Sequence, residues 1–213
     1  MASRKALIVH GGWDGHTPKR SAELFATFLQ DSDFEVVLSD TLDVYLNKHE
    51  LAGCDLIVPI WTMGQISDEQ GLGLLDAVSA GSGLAGFHGG MCDSFRNHTV
   101  YQWMTGGQWV AHPGDIIPEY AVHIARPDHP ITAGISDFKM IDTEQYWMHV
   151  DPSNEVLATT TFEHPCHCVM PYAWTRNWGK GKVFYAAWGH TWKDFEIPEA
   201  RQIVQRGMLW AAR

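Results

Sequence analysis

KALIVHGGWDGHTPKRSAELFATFLQDSDFEVVLS, residues 5–39, predicts a strand, a turn, a helix and a second strand in direct succession. Lys5–His10 is a short apolar, β-branched run that stops at Gly11-Gly12, as a buried strand with a turn at its carboxyl end does. Thr17-Pro18 supplies a helix N-cap and a proline at the first helical position. Leu24, Phe25, Phe28 and Leu29 then recur at helical spacing up to about Asp31, and Phe34–Ser39 is again strand-like. The pattern repeats downstream. Leu56–Trp61 reads as a strand, and Ser67-Asp68-Glu69-Gln70 as a capping box that opens a helix with Leu72, Leu75 and Val78 on one face. Gly83–His88 is a small-residue strand ending in Gly89-Gly90, with a helix predicted over Ser94–Met104. Alternation of this kind makes a mostly parallel sheet with helices on both faces, an α/β architecture.

The second half has a different texture. Glu119–Ala125 and Val156–Thr161 read as strands, while Val169–Arg176 and Lys182–Trp188 flank Asn177–Gly181 as an added β-hairpin. A last helix spans about Pro198–Ala211, with Ile203, Val204, Met208 and Leu209 toward the core. No linker, repeat or low-complexity segment divides the chain, so 1–213 is read as one domain.

Composition excludes several classes of function. The 213 residues carry 15 Lys and Arg against 25 Asp and Glu, a formal charge of −10, which argues against a nucleic-acid partner. With 45% hydrophobic residues the chain is no disordered segment. No apolar run is long enough for a membrane helix, and the apolar run of MASRKALIVHGG breaks at His10, too early for a secretory leader. The expected address is therefore the cytoplasm, and assembly into identical copies stays open. Cys54, Cys92, Cys166 and Cys168 lack an oxidising context, so no disulfides are expected. The His164–Cys168 cluster fits ordinary packing better than the spacing of a zinc site. What remains unusual is the supply of 12 His and 10 Trp.

Parallel sheets bind ligands beyond the carboxyl ends of their strands. That rule puts His10, Trp13, Asp14 and His16 on one rim with Trp61, Gln65, His88, Cys92 and Asp93. Gly86-Phe87-His88-Gly89-Gly90 has the small-residue flanks of a hydrolase nucleophile elbow, with histidine at its apex. Such a histidine suits a general base, a hydrogen-bond donor or a metal ligand. In Asp142–His149, an extended backbone would place Glu144 and Tyr146 on one side. A further strand end carries Trp188, Gly189 and His190. Tryptophans 13, 61, 147, 188 and 192 adjoin these segments, and aromatic faces beside polar donors suit sugar rings. Trp103 and Trp109 fit either packing or the site, and Trp210 reads as core.

Together these motifs resemble the ThuA-like, or trehalose-utilisation, family. The resemblance rests on VHGGWDGH (9–16), GFHGGMCDSF (86–95), YQWMTGGQWVAHPG (101–114), DTEQYW (142–147), PYAWTRNWGKGKVFYAAWGH (171–190) and FEIPEARQIVQRGMLWA (195–211). It implies a flavodoxin-like sheet similar to class I glutamine amidotransferases, with added strands. His88 then stands where the amidotransferases carry their cysteine, and His190 resembles their late histidine, so the two would share one pocket. The missing thiol removes the thioester route to glutamine hydrolysis. The resemblance further implies a role in disaccharide catabolism, beside dehydrogenases that make 3-keto sugars. The expected site therefore has His88, Glu144 and His190 as catalytic groups, and His10, Trp13, His16, Trp61, Asp93, His112, Tyr146 and Trp188 as ligand-binding ones. Its partner is a small-molecule sugar. A divalent metal such as zinc, held by some of His10, His16, His88 and His190, is one way to run the chemistry. The competing expectation is a sugar-binding or regulatory protein without catalysis.

Overall fold

The computed structural model describes residues 4–213; Met1–Ser3, the head of the segment read against a leader, lie outside the described residues. The strand–helix succession forms as expected. Strand β1 is Arg4–Gly12, α1 Pro18–Asp31, β2 Phe34–Ser39, α2 Lys48–Gly53, β3 Leu56–Thr62, α3 Asp68–Ala80 and β4 Gly83–Phe87. After β4 come α4 (His88–Cys92), α5 (Thr99–Thr105), β5 (Gly107–Ala111), β6 (Ile116–Ile124), β7 (Phe138–Glu144) and β8 (Trp147–Val150). The chain closes with β9 (Glu155–Phe162), β10 (Cys168–Trp178), β11 (Gly181–Ala186) and α6 (Pro198–Ala211).

One nine-stranded sheet runs β2-β1-β3-β4-β11-β10-β9-β6-β7, and β5 pairs with β8 in a separate two-stranded sheet. Strands β2, β1, β3, β4 and β11 pair in parallel. From β11 outward every pairing is antiparallel. The order reverses between β1 and β3, which is where doubly wound sheets open a crevice beyond their carboxyl ends.

Packing explains the layers. Helices α1 and α6 flank the single-turn segment Trp192–Glu196 on one face, while α2, α3 and α5 group on the other. Phe25 of α1, Phe87 of β4 and Phe195 meet as a triad with centroids 4.8–5.2 Å apart. Truncating one such buried ring costs about 3–5 kcal/mol. Helix α3 starts with the anticipated capping box: Ser67 accepts from the Gln70 N–H, and the Gln70 side chain accepts from the Ser67 N–H.

Several expectations are corrected. Ser94–Met104 is not one helix. The chain leaves α4 at Asp93, turns through Phe95 at φ 49°, and restarts where His98 Nδ1 caps the Tyr101 N–H. Leu72 faces solvent with 55% exposure, because the buried side of α3 is formed by Gly71, Leu74, Leu75 and Val78. Leu209 lies at the exposed edge of α6. The sequence reading also missed β5, β7 and β8.

Candidate active site

Four loops deliver the site. The turn after β1 brings His16, the end of β3 brings Thr62, the elbow after β4 brings His88, and the segment after β11 brings His190. Glu144 arrives from the far side, at the end of β7. His16 Nε2, His88 Nε2, His190 Nδ1 and one Glu144 carboxylate oxygen all lie within 4.8 Å of one another. From Glu144 Oε2 the distances are 3.1 Å to His88, 3.3 Å to His190 and 3.9 Å to His16. His112 Nε2 stands 3.8 Å from the other oxygen.

The elbow holds His88 by strain and contact. Its φ is 47°, a left-handed conformation that costs a non-glycine residue about 1 kcal/mol or more. Gly89 is obligatory beside it, since a Cβ there would sit 2.8 Å from His16 Cε1 and 2.9 Å from Thr62 Cγ2. His88 is 1% exposed, its Nδ1 donates to the Ala187 carbonyl at 3.0 Å, and Tyr146 stacks on its ring at 3.8 Å. The Tyr185 hydroxyl donates to the His88 carbonyl. His16 is fixed through Nδ1, 2.7 Å from Thr62 Oγ1. The His190 loop is tied by Asp194, whose Oδ2 accepts from the Gly189 and His190 amides and from Thr143 Oγ1.

A tyrosine relay sets the position of Glu144. Tyr172 donates to Tyr120, Tyr120 donates to the Glu144 carbonyl, and the Tyr146 N–H donates to Tyr172. Gln145 turns the other way and donates to Thr160, so Glu144 and Tyr146 do face His88 together.

The electrostatics follow from this crowding. Burial, then the charges of His88 and His190, lower the His16 pKa to about 2, so its imidazole is neutral. Burial works to raise the Glu144 pKa. The close approach of the His190 and His88 imidazoles outweighs it and holds the carboxyl below the usual range. Burial raises Asp93 while its paired Arg96 opposes the rise. The Cys92 thiol is pushed far up by burial, which removes it as a nucleophile.

A pocket of about 140 Å³ opens over this cluster, with His16 and Glu144 in it and Trp13, Trp109, His112, Tyr146, Asp93 and Arg96 around them. Trp13 stands 4.8 Å from His16, and Arg96 lies 4.6 Å over Trp109 while its guanidinium grips both oxygens of Asp93. Larger hollows lie elsewhere, one of about 410 Å³ beside Asp142, Lys193 and Glu196. Size does not mark the site; convergence of ionisable groups does.

Of the expected site residues, His16, Asp93, His112, Glu144 and Tyr146 line this pocket with Trp13, and His88 and His190 stand against Glu144. Three do not belong to it. His10 is set among Asp40, Lys19 and Glu23, because the strand end points it away from the cluster. Trp61 lies over Gly11 and Gly64, whose added Cβ atoms would meet it at 2.5 and 2.8 Å. Trp188 is wholly buried, donates to the Ala200 carbonyl and packs edge-on to Phe138. Trp147 and Trp192 likewise pack elsewhere, on Phe162 and beneath Arg20. The aromatic wall is thus Trp13 and Trp109, not the five tryptophans anticipated. Trp210 is only partly buried, under Lys182. All four cysteines are free. Thr62, Asp194, Tyr120 and Tyr172 were not anticipated; Thr62, Tyr120 and Tyr172 act across long separations, and Asp194 joins its own loop to Thr143 of β7.

Comparison with known proteins adds two findings. The sequence profile described as "Trehalose utilisation" (ThuA) matches residues 5–211. Among solved structures, a ThuA-like protein from Bacteroides uniformis is 17% identical with a TM-score of 0.79, covering 98% of this chain and 91% of its own. A cytoplasmic protein from Salmonella typhimurium LT2 is 13% identical with a TM-score of 0.72 over 98% of this chain and all (100%) of its own. A β-galactosidase from Bacillus circulans is 10% identical with a TM-score of 0.64, covering 99% of this chain but 31% of its own. These identities bear on the fold alone. No curated protein matches.

Proposed function

The chain belongs to the trehalose-utilisation (ThuA) family, and on that premise we propose that it is a carbohydrate-catabolic enzyme acting on a disaccharide or its 3-keto derivative. The observation that carries this reading is the convergence of three imidazoles on the Glu144 carboxylate beneath a pocket walled by Trp13 and Trp109. A volume of about 140 Å³ is below the range of roughly 300–1,000 Å³ for drug-sized ligand sites, so one sugar ring enters and the second rests outside. The exposed face of Trp13 offers that second ring a stacking surface.

A 3-keto group acidifies the neighbouring C–H, so isomerisation, or elimination of the glycosidic group, needs one base and one group that stabilises the developing oxyanion. Hydrolysis needs an activated water instead. His88 has both nitrogens engaged and does not line the pocket, so it acts through Glu144. Glu144 faces the pocket in its anionic form, a weak base but a good anchor for sugar hydroxyls. His112, which lines the pocket and is the most exposed of these imidazoles, takes the proton, and His190 stands behind Glu144 with His88. Asp93 and Arg96 fix the rim. Among the described residues no helix is long and apolar enough to cross a membrane, and we place the reaction in the cytoplasm.

The test is incubation of the purified protein with 3-keto-trehalose and related keto-glycosides, with and without divalent metal, followed by chromatography of the sugars. No turnover of any of them would sink the reading. One observation favours a second reading: the elbow apex is His88, and the nearby thiol of Cys92 is buried and protonated. A sugar-binding or regulatory role on this fold would show as calorimetric affinity that survives His190→Ala, with no reaction detected.

A further inference from the structure

We infer that His16, His88, His190 and Glu144 form a divalent-cation site of the zinc type, its open side facing the pocket. The site is the one to which the sugar chemistry is assigned above, and the cation's role in catalysis rests on that reading, though its binding does not.

The argument begins with protons. The Ala187 carbonyl can only accept, so His88 Nδ1 carries the hydrogen in their 3.0 Å bond. The other ring nitrogen, Nε2, faces Glu144 Oε2 at 3.1 Å. His190 Nδ1 is buried without a hydrogen-bond partner of acceptable geometry among the described residues, yet lies 3.3 Å from the same oxygen. His16 Nε2 completes the set at 3.9 Å. Three ring nitrogens therefore crowd one carboxylate oxygen.

A cation satisfies all four. Bonds of about 2.0–2.1 Å in a tetrahedron separate neighbouring ligand atoms by roughly 3.4 Å. The three distances from Glu144, 3.1, 3.3 and 3.9 Å, bracket that value, and the four atoms together lie within 4.8 Å, so an ion would draw the imidazoles slightly inward. The ligands are also oriented as metal-bound histidines are. His88 is held through its far nitrogen by a backbone carbonyl, and His16 by the Thr62 hydroxyl. Imidazole and carboxylate without thiolate suit Zn²⁺ and its neighbours rather than Cu⁺ or Ca²⁺. Of the four, His16 and Glu144 line the pocket, so a sugar oxygen or water could reach the ion from that side.

The test is metal binding, read without any sugar. Protein stripped with a chelator is titrated with Zn²⁺ by calorimetry and counted by elemental analysis, with Co²⁺ absorption reporting the geometry. We expect about one equivalent of tightly bound metal, as for a preformed site, and a Co²⁺ spectrum of low coordination number. Glu144→Gln and His190→Ala should each weaken Zn²⁺ by about 100-fold or more, since even loss of an outer-shell partner costs 10–100-fold. Circular dichroism checks that each variant is folded. The exposed His164–Cys168 segment is controlled by Cys166→Ser/Cys168→Ser, which should leave binding unchanged. Binding abolished by that pair but kept in folded Glu144→Gln overturns the inference, as does no binding by the folded stripped protein. The two readings separate cleanly. Zn²⁺ binding without turnover sinks the sugar chemistry alone, and turnover by metal-free protein that binds no Zn²⁺ sinks the metal site alone.

Discussion

Glu144 answers to His88 and His190 through one oxygen, so exchanging its carboxylate for an amide keeps the shape and removes the charge. We expect Glu144→Gln to lower turnover of the keto-sugar by about 100-fold or more, the scale of a charged group lost from a preorganised site, and to weaken sugar affinity as well, since the carboxylate anchors the sugar; product chromatography and calorimetry read the two separately. A smaller change acts through space. Gly89→Ala should push His16 off Thr62, because the new methyl would lie 2.8 Å from the imidazole, and a crystal structure of that variant should show the ring displaced while His88 stays on Ala187. At this scale the sequence was informative where chemistry and backbone demand coincide. His16 and His88 are flanked by glycines that only a turn or a close approach explains. Thr62 was illegible, since it acts by one hydrogen bond to His16, 46 positions away, and Asp194 was hidden because its tie to Thr143 spans 51 positions. His10 misled for a related reason: strand alternation decides which side it faces, and glycines on its flank do not.

Strands ending in glycine were the readable elements. Strands β1, β3, β4 and β11 are largely buried apolar runs, while β2 at the edge is half-exposed, and their carboxyl ends are punctuated by residues that permit a sharp turn. The capping box of α3 was equally plain, and Ser67→Ala should cost about 1 kcal/mol in urea denaturation. Strand β7 hid because Asp142, at φ 48°, breaks its alternation just before Thr143 and Glu144 turn inward. The helix expected over Ser94–Met104 failed because the Asp93–Arg96 pair and a left-handed Phe95 bend the chain within the first turn. The loop after β11 depends on one carboxylate. Asp194→Ala leaves the Gly189 and His190 amides without their acceptor, and should cost about 1–3 kcal/mol with His190 released; the urea midpoint and the Zn²⁺ affinity should fall together.

Over the whole molecule, buried histidines give stability a direction in pH. Burial lowers the pKa of His129, whose Nδ1 accepts from the Ile131 N–H, and of His10. Each is neutral in the native chain at a pH where the unfolded chain, with a histidine pKa of about 6.5, already binds a proton. Stability is therefore complete above that value and declines as pH falls toward the lowered native pKa. Urea midpoints taken from neutral pH to pH 5 should fall, and His129→Asn, which keeps the acceptor and removes the titration, should fall less. The architecture itself was legible because β-branched runs and helix caps alternate along the first half; the antiparallel outer strands were only half legible, since their sites of contact lie far apart in the chain. That outer extension has one more consequence. The imidazoles ride on loops of the parallel half, but their counter-charge is delivered by β7, the last strand at the sheet's distant edge. Pairings over such separations form slowly, because loop-closure entropy is lost before the contacts are gained. A chain that has paired only its first four strands holds His16 and His88 with no anion to gather them. The cluster is therefore incomplete until the outer strands have paired.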